Sequence, residues 1–157
     1  MKAVKYALTY ARCQILMATA RNKQKGKPIG NNTRLYETRD NKYYSVELHG
    51  NEIMQVYRDG YVIHSCGWKS VTTKARLNTY LPDEFVVKQH QFNWWVYSNP
   101  DYGGDKWENV SEFTDGMFLH LNGKVYGSRS KWLDEKWGQG KWNYSWKASK
   151  WDEVSLG

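Results

Sequence analysis

His64 and Cys66 stand two residues apart in a segment, Tyr61 to Cys66, whose β-favouring residues predict a strand. That spacing puts both side chains on one strand face. An imidazole beside a thiol is what nucleophilic catalysis needs, because a base must take the thiol proton. Every strand sets such pairs side by side, so the signal is weak. His49, His90 and His120 also fall in or beside predicted strands, and none stands at a zinc-ligand spacing. Cys13 and Cys66 lie far apart and fit neither a metal site nor a disulfide framework. They are expected to be free, mostly buried thiols in a reducing compartment. Asp59, Asp101, Asp105 and Asp115 sit mainly in turns, where a carboxylate ordinarily bonds the local backbone. A hydrolase would need two of them to converge in a pocket. No phosphate-binding loop, dinucleotide fingerprint or nucleophile elbow is present. The expectation is a protein that is not an enzyme and needs no cofactor or metal.

Binding chemistry is better represented. Trp68, Lys69, Lys74 and Arg76 cluster where a strand pattern ends and a helix pattern begins. Backbone N–H groups at a helix start favour anions, and a lysine nearby strengthens a phosphate site. Trp68 can stack on a base, or it can anchor the helix in the core while Lys74 and Arg76 face water. The formal charge of +7 is unevenly laid out: residues 1–30 carry +7 and no acid, residues 31–126 carry −2, and residues 127–157 carry +2. Arg21, Lys23, Lys25 and Lys27 form a basic loop after the first helix pattern, and cationic ends of this kind attract polyanions by releasing condensed counterions. A solvated, solubilising arm is the other reading of such a run.

The chain has nine Trp and twelve Tyr, enough rings to fill a compact core or to leave some for a partner. From Ser130 onward Trp132, Trp137, Trp142, Trp146 and Trp151 recur, and Lys131, Lys136, Lys141 and Lys150 precede four of them. Their steps of five, five, four and five gather onto no single face of a helix or strand. The tail either wraps the body, each ring in its own pocket, or is a low-complexity binding arm. Lys136, Trp137, Lys141 and Trp142 join the candidate nucleic-acid contacts on the second reading.

The elements that must position these groups follow from periodicity. Residues 3–20 predict a helix with two apolar rows, Val4, Leu8, Ala11, Ile15 and Ala18, and Tyr6, Tyr10, Cys13 and Met17, so that it is covered on more than one side. Hairpins are predicted around Asp40-Asn41, Arg58-Asp59-Gly60, Gln91-Phe92-Asn93 and Asn122-Gly123, the last being the strongest. Thr72 or Thr73 caps a short helix that runs to about Tyr80, with Leu77 and Leu81 inward and Pro82 ending it. Strands joined by tight turns pair antiparallel. The expected fold is α+β: an N-terminal helix and one short internal helix on a twisted antiparallel sheet or partial barrel of about six to eight strands. Residues 1–129 are expected to form one domain and residues 130–157 a Trp/Lys-rich C-terminal tail. No apolar run approaches the ~18 residues that would cross a bilayer.

Residues from about Ile29 to Leu121 resemble an uncharacterised bacteriophage protein family. The resemblance rests on Gly30-Asn31-Asn32-Thr33, on Val46-Glu47-Leu48-His49-Gly50-Asn51, and on the stretch Gly67-Trp68-Lys69-Ser70-Val71-Thr72-Thr73-Lys74-Ala75-Arg76-Leu77-Asn78, with Asp115-Gly116-Met117 at its end. Ser65-Cys66 stands where that pattern tends to be small or glycine-rich, and the Trp-Lys tail lies outside it. The resemblance implies a phage gene product acting in the bacterial cytoplasm or in the virion, and no site residue carries over from it. Charge and rings together predict a non-enzymatic accessory protein that binds nucleic acid by its backbone or as a single strand. The alternatives are a protein-binding effector against a host or defence enzyme, a minor virion component, and a small hydrolase built on His64.

Overall fold

A computed structural model describes residues 7–21, 25–38, 43–67, 69–98 and 109–137. Helix α1 runs over Tyr10–Ala18. It does not begin near residue 3, because Ala7 to Thr9 are not helical and the Thr9 hydroxyl accepts from the Arg12 N–H at 3.1 Å, capping the helix. Of the two apolar rows, Cys13 and Met17 face the core, whereas Ile15 is 69 % exposed. Among the described residues the helix is therefore covered on one side. Burial pushes the Cys13 thiol up to about 12, which keeps it protonated.

Strands β1 (Lys27–Gly30), β2 (Thr33–Glu37), β3 (Tyr44–Leu48), β4 (Asn51–Val56) and β5 (Gly60–Ile63) follow as a meander of antiparallel neighbours. Helix α2 (Val71–Tyr80) and a three-stranded antiparallel sheet, β6 (Phe85–His90), β7 (Asn93–Ser98) and β8 (Asn109–Glu112), are inserted next. The chain then returns: β9 (Met117–His120) pairs with β5, and β10 (Val125–Tyr126) closes a seven-stranded sheet of order β1-β2-β3-β4-β5-β9-β10. Helix α3 (Arg129–Trp137) ends the described chain. The expected α+β class on antiparallel sheets is what the chain adopts. The described residues form ten strands in two open sheets, because the short β1 and β8 add to the strands of the four predicted hairpins. No described helix is long and apolar enough to cross a membrane.

Strand pleating decides which residues make the core. Leu35, Val46, Met54, Ile63 and Met117 lie in register across five strands, and all are buried. The residues packed against this face come from α1, from α2 (Leu77, Tyr80) and from the inner side of the small sheet (Phe85, Val87, Trp94, Val96). Asn78 of α2 fastens the border of β6: its Oδ1 accepts from the Val87 N–H at 2.7 Å and its Nδ2 donates to the Val87 carbonyl at 2.8 Å.

The opposite face of the large sheet presents Ser45, Gln55, Val62, Phe118 and Tyr126 in register. Helix α3 covers one end of it, where Trp132 and Leu133 cluster with Val62 and Phe118. The periodicity of the tail did not indicate this helix, and Trp132, its first tryptophan, fills a core-like pocket 5.3 Å from the Phe118 ring. Arg129 anchors the helix by an ion pair with Asp59 at 3.0 Å, and its guanidinium lies 4.1 Å from the centre of the Tyr57 ring. Among the described residues the Asp59 carboxylate thus serves a distant helix and not the backbone of its own turn. Burial holds the His120 imidazole, 5.1 Å from Trp132, below its usual range.

The β5–β9 pairing depends on Gly60, opposite His120. A Cβ there would run into the Leu119 carbonyl and lie 2.9 Å from the Phe118 ring. Gly60→Ala is expected to lower unfolding free energy by about 2 kcal/mol through forced separation of the strands. Chemical denaturation measures this; an unchanged midpoint would show that the ladder yields freely.

Candidate nucleic-acid interface

The segment richest in binding chemistry is built by three local devices. Strand β5 ends at Ile63, and the chain reverses through Cys66 and Gly67, both at positive φ (54° and 78°). Asp115, from the turn before β9, accepts from the Ser65 N–H and hydroxyl at 2.7 and 2.8 Å, holding this reversal in place. Ser70, rather than Thr72 or Thr73, then caps α2: its Oγ accepts from the Thr73 N–H at 3.1 Å. The reversal also separates the expected His64–Cys66 pair. The Cys66 thiol donates to the Glu52 carbonyl at 2.8 Å, while His64 approaches Gly116. Burial, with the charges of Asp115 and Glu52, raises the Cys66 thiol above its usual value, so the neutral form is favoured.

In front of these devices is an open cleft of about 340 Å³, floored by Leu48 and Ile53 and edged by His49, Asn51, Ser70 and Thr72. A second cleft of about 280 Å³, lined by Asn32, Arg34, Tyr36, Glu47 and His49, lies on the opposite face of the sheet and meets the first at the β3–β4 turn. His49, exposed in the left-handed conformation (φ 53°) at the β3–β4 turn, belongs to both. Arg34 is held by donating to the carbonyls of Lys25 and Gly26 at 3.2 and 3.3 Å. Burial, reinforced by the Glu52 charge, raises the Glu47 carboxyl above its usual value. The Gln55 amide donates to Glu52 at 2.6 Å, and the Ser45 hydroxyl also donates to it.

The sequence-predicted cations do not all join these clefts. Lys69 is exposed just before the Ser70 cap, and Lys74 is half-buried one turn into α2. Half-buried Arg76 reaches to the β1–β2 turn, its Nε donating to the Thr33 hydroxyl at 3.1 Å and its Nη2 to the Asn31 carbonyl at 3.4 Å. Arg21 and Lys25 are exposed after α1, and the Lys27 ammonium donates to the Thr19 hydroxyl. Lys136 sits on α3, 5.3 Å over the Trp132 ring, at the other end of the sheet face that carries Arg34 and Glu47 and on the side away from the first cleft. Lys23, Trp68, the Trp137 side chain, Lys141 and Trp142 lie outside the described residues.

Sequence reasoning passed over a second aromatic surface, formed by Phe92, Trp95 and Tyr97 on the β6–β7 hairpin. The signal was present: in Asn93-Trp94-Trp95-Val96-Tyr97 a strand sends Trp94 and Val96 to one side and Trp95 and Tyr97 to the other.

A family model described as Kyanoviridae Gp96 protein matches residues 11–120, well over half of the chain. The match bears out the phage resemblance and extends it upstream through α1, while α3 lies beyond its end. No curated protein and no solved structure matches the chain.

Proposed function

We propose that this chain, which belongs to the Kyanoviridae Gp96 family of bacteriophage proteins, is a non-enzymatic accessory protein that binds nucleic acid through its backbone or as a single strand. It acts in the cytoplasm of the bacterial host. The observation that carries the reading is the pair of clefts that meet at His49, one on each face of the large sheet, the first of them reaching the start of α2, where Lys69 and Lys74 adjoin its lining residues Ser70 and Thr73 in the chain. Hydroxyls at a helix start, side-chain amides and the Arg34 guanidinium of β2 are donors suited to phosphate oxygens, and they read no base edge. The net charge of +7 supplies the long-range attraction.

The test is a titration of labelled single- and double-stranded oligonucleotides at two salt concentrations. Lys69→Gln and Lys74→Gln are each expected to weaken binding alike for all sequences. Each should lower the log–log salt slope by about 0.7 for single strands, the value for one phosphate contact. Arg76→Gln, whose partners are Thr33 and Asn31, should instead change stability and leave that slope intact. Micromolar protein giving no salt-sensitive shift overturns the reading.

The exposure of Ile15 on α1 and Val71 on α2 supports a second reading, a protein-binding effector or minor virion component with these residues as anchors. Capture of one host protein that survives nuclease and high salt favours the effector. Mass analysis of purified particles decides the virion role.

A further inference from the structure

The outer face of β6–β8 has no role in the core. Its ladder aligns Lys88 with Trp95 and Glu112, and Val86 with Tyr97 and Val110. The rows on the inner face, with Phe85, Val87, Trp94, Val96 and Ser98, are buried. Trp95 and Tyr97 keep part of their surface in water, Val110 is exposed, and the Lys88 ammonium lies 5.2 Å from the centre of the Tyr97 ring. The indole N–H edge of Trp95 is buried and has no hydrogen-bond partner among the described residues, so it is the rest of the ring that meets water. At the hairpin tip Gln91 and Phe92 both adopt positive φ (50° and 71°), and Phe92 is 93 % exposed. A two-residue turn of this kind favours Asn and Gly, and a bulky residue at positive φ is strained. Phe92 therefore carries both backbone strain and an exposed ring. Strain combined with exposure marks a residue placed for a partner.

We propose that this face is a stacking platform for the bases of single-stranded nucleic acid, an inference that rests on the nucleic-acid reading above and gives it a second surface. Trp95 and Tyr97, two residues apart on one strand, project side by side ~7 Å apart. An extended single strand can lay successive bases on rings so spaced, as the aromatic sheet surfaces of RNA-binding modules do. Lys88, opposite Trp95 and over Tyr97, puts a cation where the phosphate between two stacked bases runs. Glu112 closes the same row on the β8 side, so the polyanion is directed along β6 and out to Phe92. A duplex is excluded, because its bases are already stacked on one another.

The experiment measures fluorescence anisotropy of a labelled oligothymidylate and of an abasic strand of equal length, with the full chain. The parent protein is expected to bind the oligothymidylate about tenfold more tightly than the abasic strand. Trp95→Ala, Tyr97→Ala and Phe92→Gly should each lose about five- to tenfold on the oligothymidylate and little on the abasic strand, with an unchanged salt slope. Phe92→Gly relieves the turn strain, so a melting temperature at or above the parent's separates lost binding from lost folding. Equal binding of both strands, or variants that bind like the parent, would overturn the platform and leave the backbone clefts standing. Binding of neither strand by the parent would overturn both.

Discussion

Arg129→Ala is expected to destabilise the fold by about 3 kcal/mol, close to 10 °C in Tm. The cost arises from what remains. Asp59 is 6 % exposed and Arg129 14 % exposed, so removing the guanidinium leaves a carboxylate buried beside an apolar cluster. One Asp59 oxygen already lacks a hydrogen-bond partner among the described residues, and the variant would strand the second. The same change removes the cation stacked on Tyr57. Asp59→Asn/Arg129→Met should recover part of the loss, because a neutral pair of similar volume no longer buries an isolated charge. Thermal unfolding of the single and double variants checks this. Equal loss in both would place the effect in packing and not in charge.

Trp94→Ala is expected to cost about 4 kcal/mol and to disorder the small sheet. The Trp94 side chain is buried on the inner face of β7, with its ring edge-on to Phe113 at 5.2 Å. Its carbonyl also accepts from the Phe113 N–H at 3.0 Å, joining β7 to the end of β8. The neighbouring Trp95→Ala, on the outer face, should cost under 1 kcal/mol in urea denaturation. The two tryptophans adjoin in sequence, so the comparison separates a ring that holds the fold from one that is available to a ligand. Similar losses at both would show that the outer face is structural too.

What could be read from the residues was what neighbours in the chain decide. The turns at Arg58-Asp59-Gly60 and Asn122-Gly123 and the stop at Pro82 follow from local backbone chemistry, and the predicted hairpins stand at or near their expected places. The pairing of β5 with β9 brings Tyr61 to Leu119 across the whole insertion, and no local pattern encodes it. Arg76 is cationic in sequence but structural in place, because its partners Asn31 and Thr33 are more than forty residues away. Helix α3 was hidden by treating the tryptophans of residues 130–157 as one series, whereas Trp132 belongs with Leu133 to a short buried stripe. The cleft between the β3–β4 turn and the start of α2 needed those two segments side by side, a juxtaposition set by packing alone.

The carboxamide of Asn78 occupies the place where another strand would otherwise add to the small sheet. By engaging both polar groups of Val87 it leaves that rim without a free pair midway along its length. Copies crowded together meet a blocked seam there and cannot zip into a continuous ribbon along it.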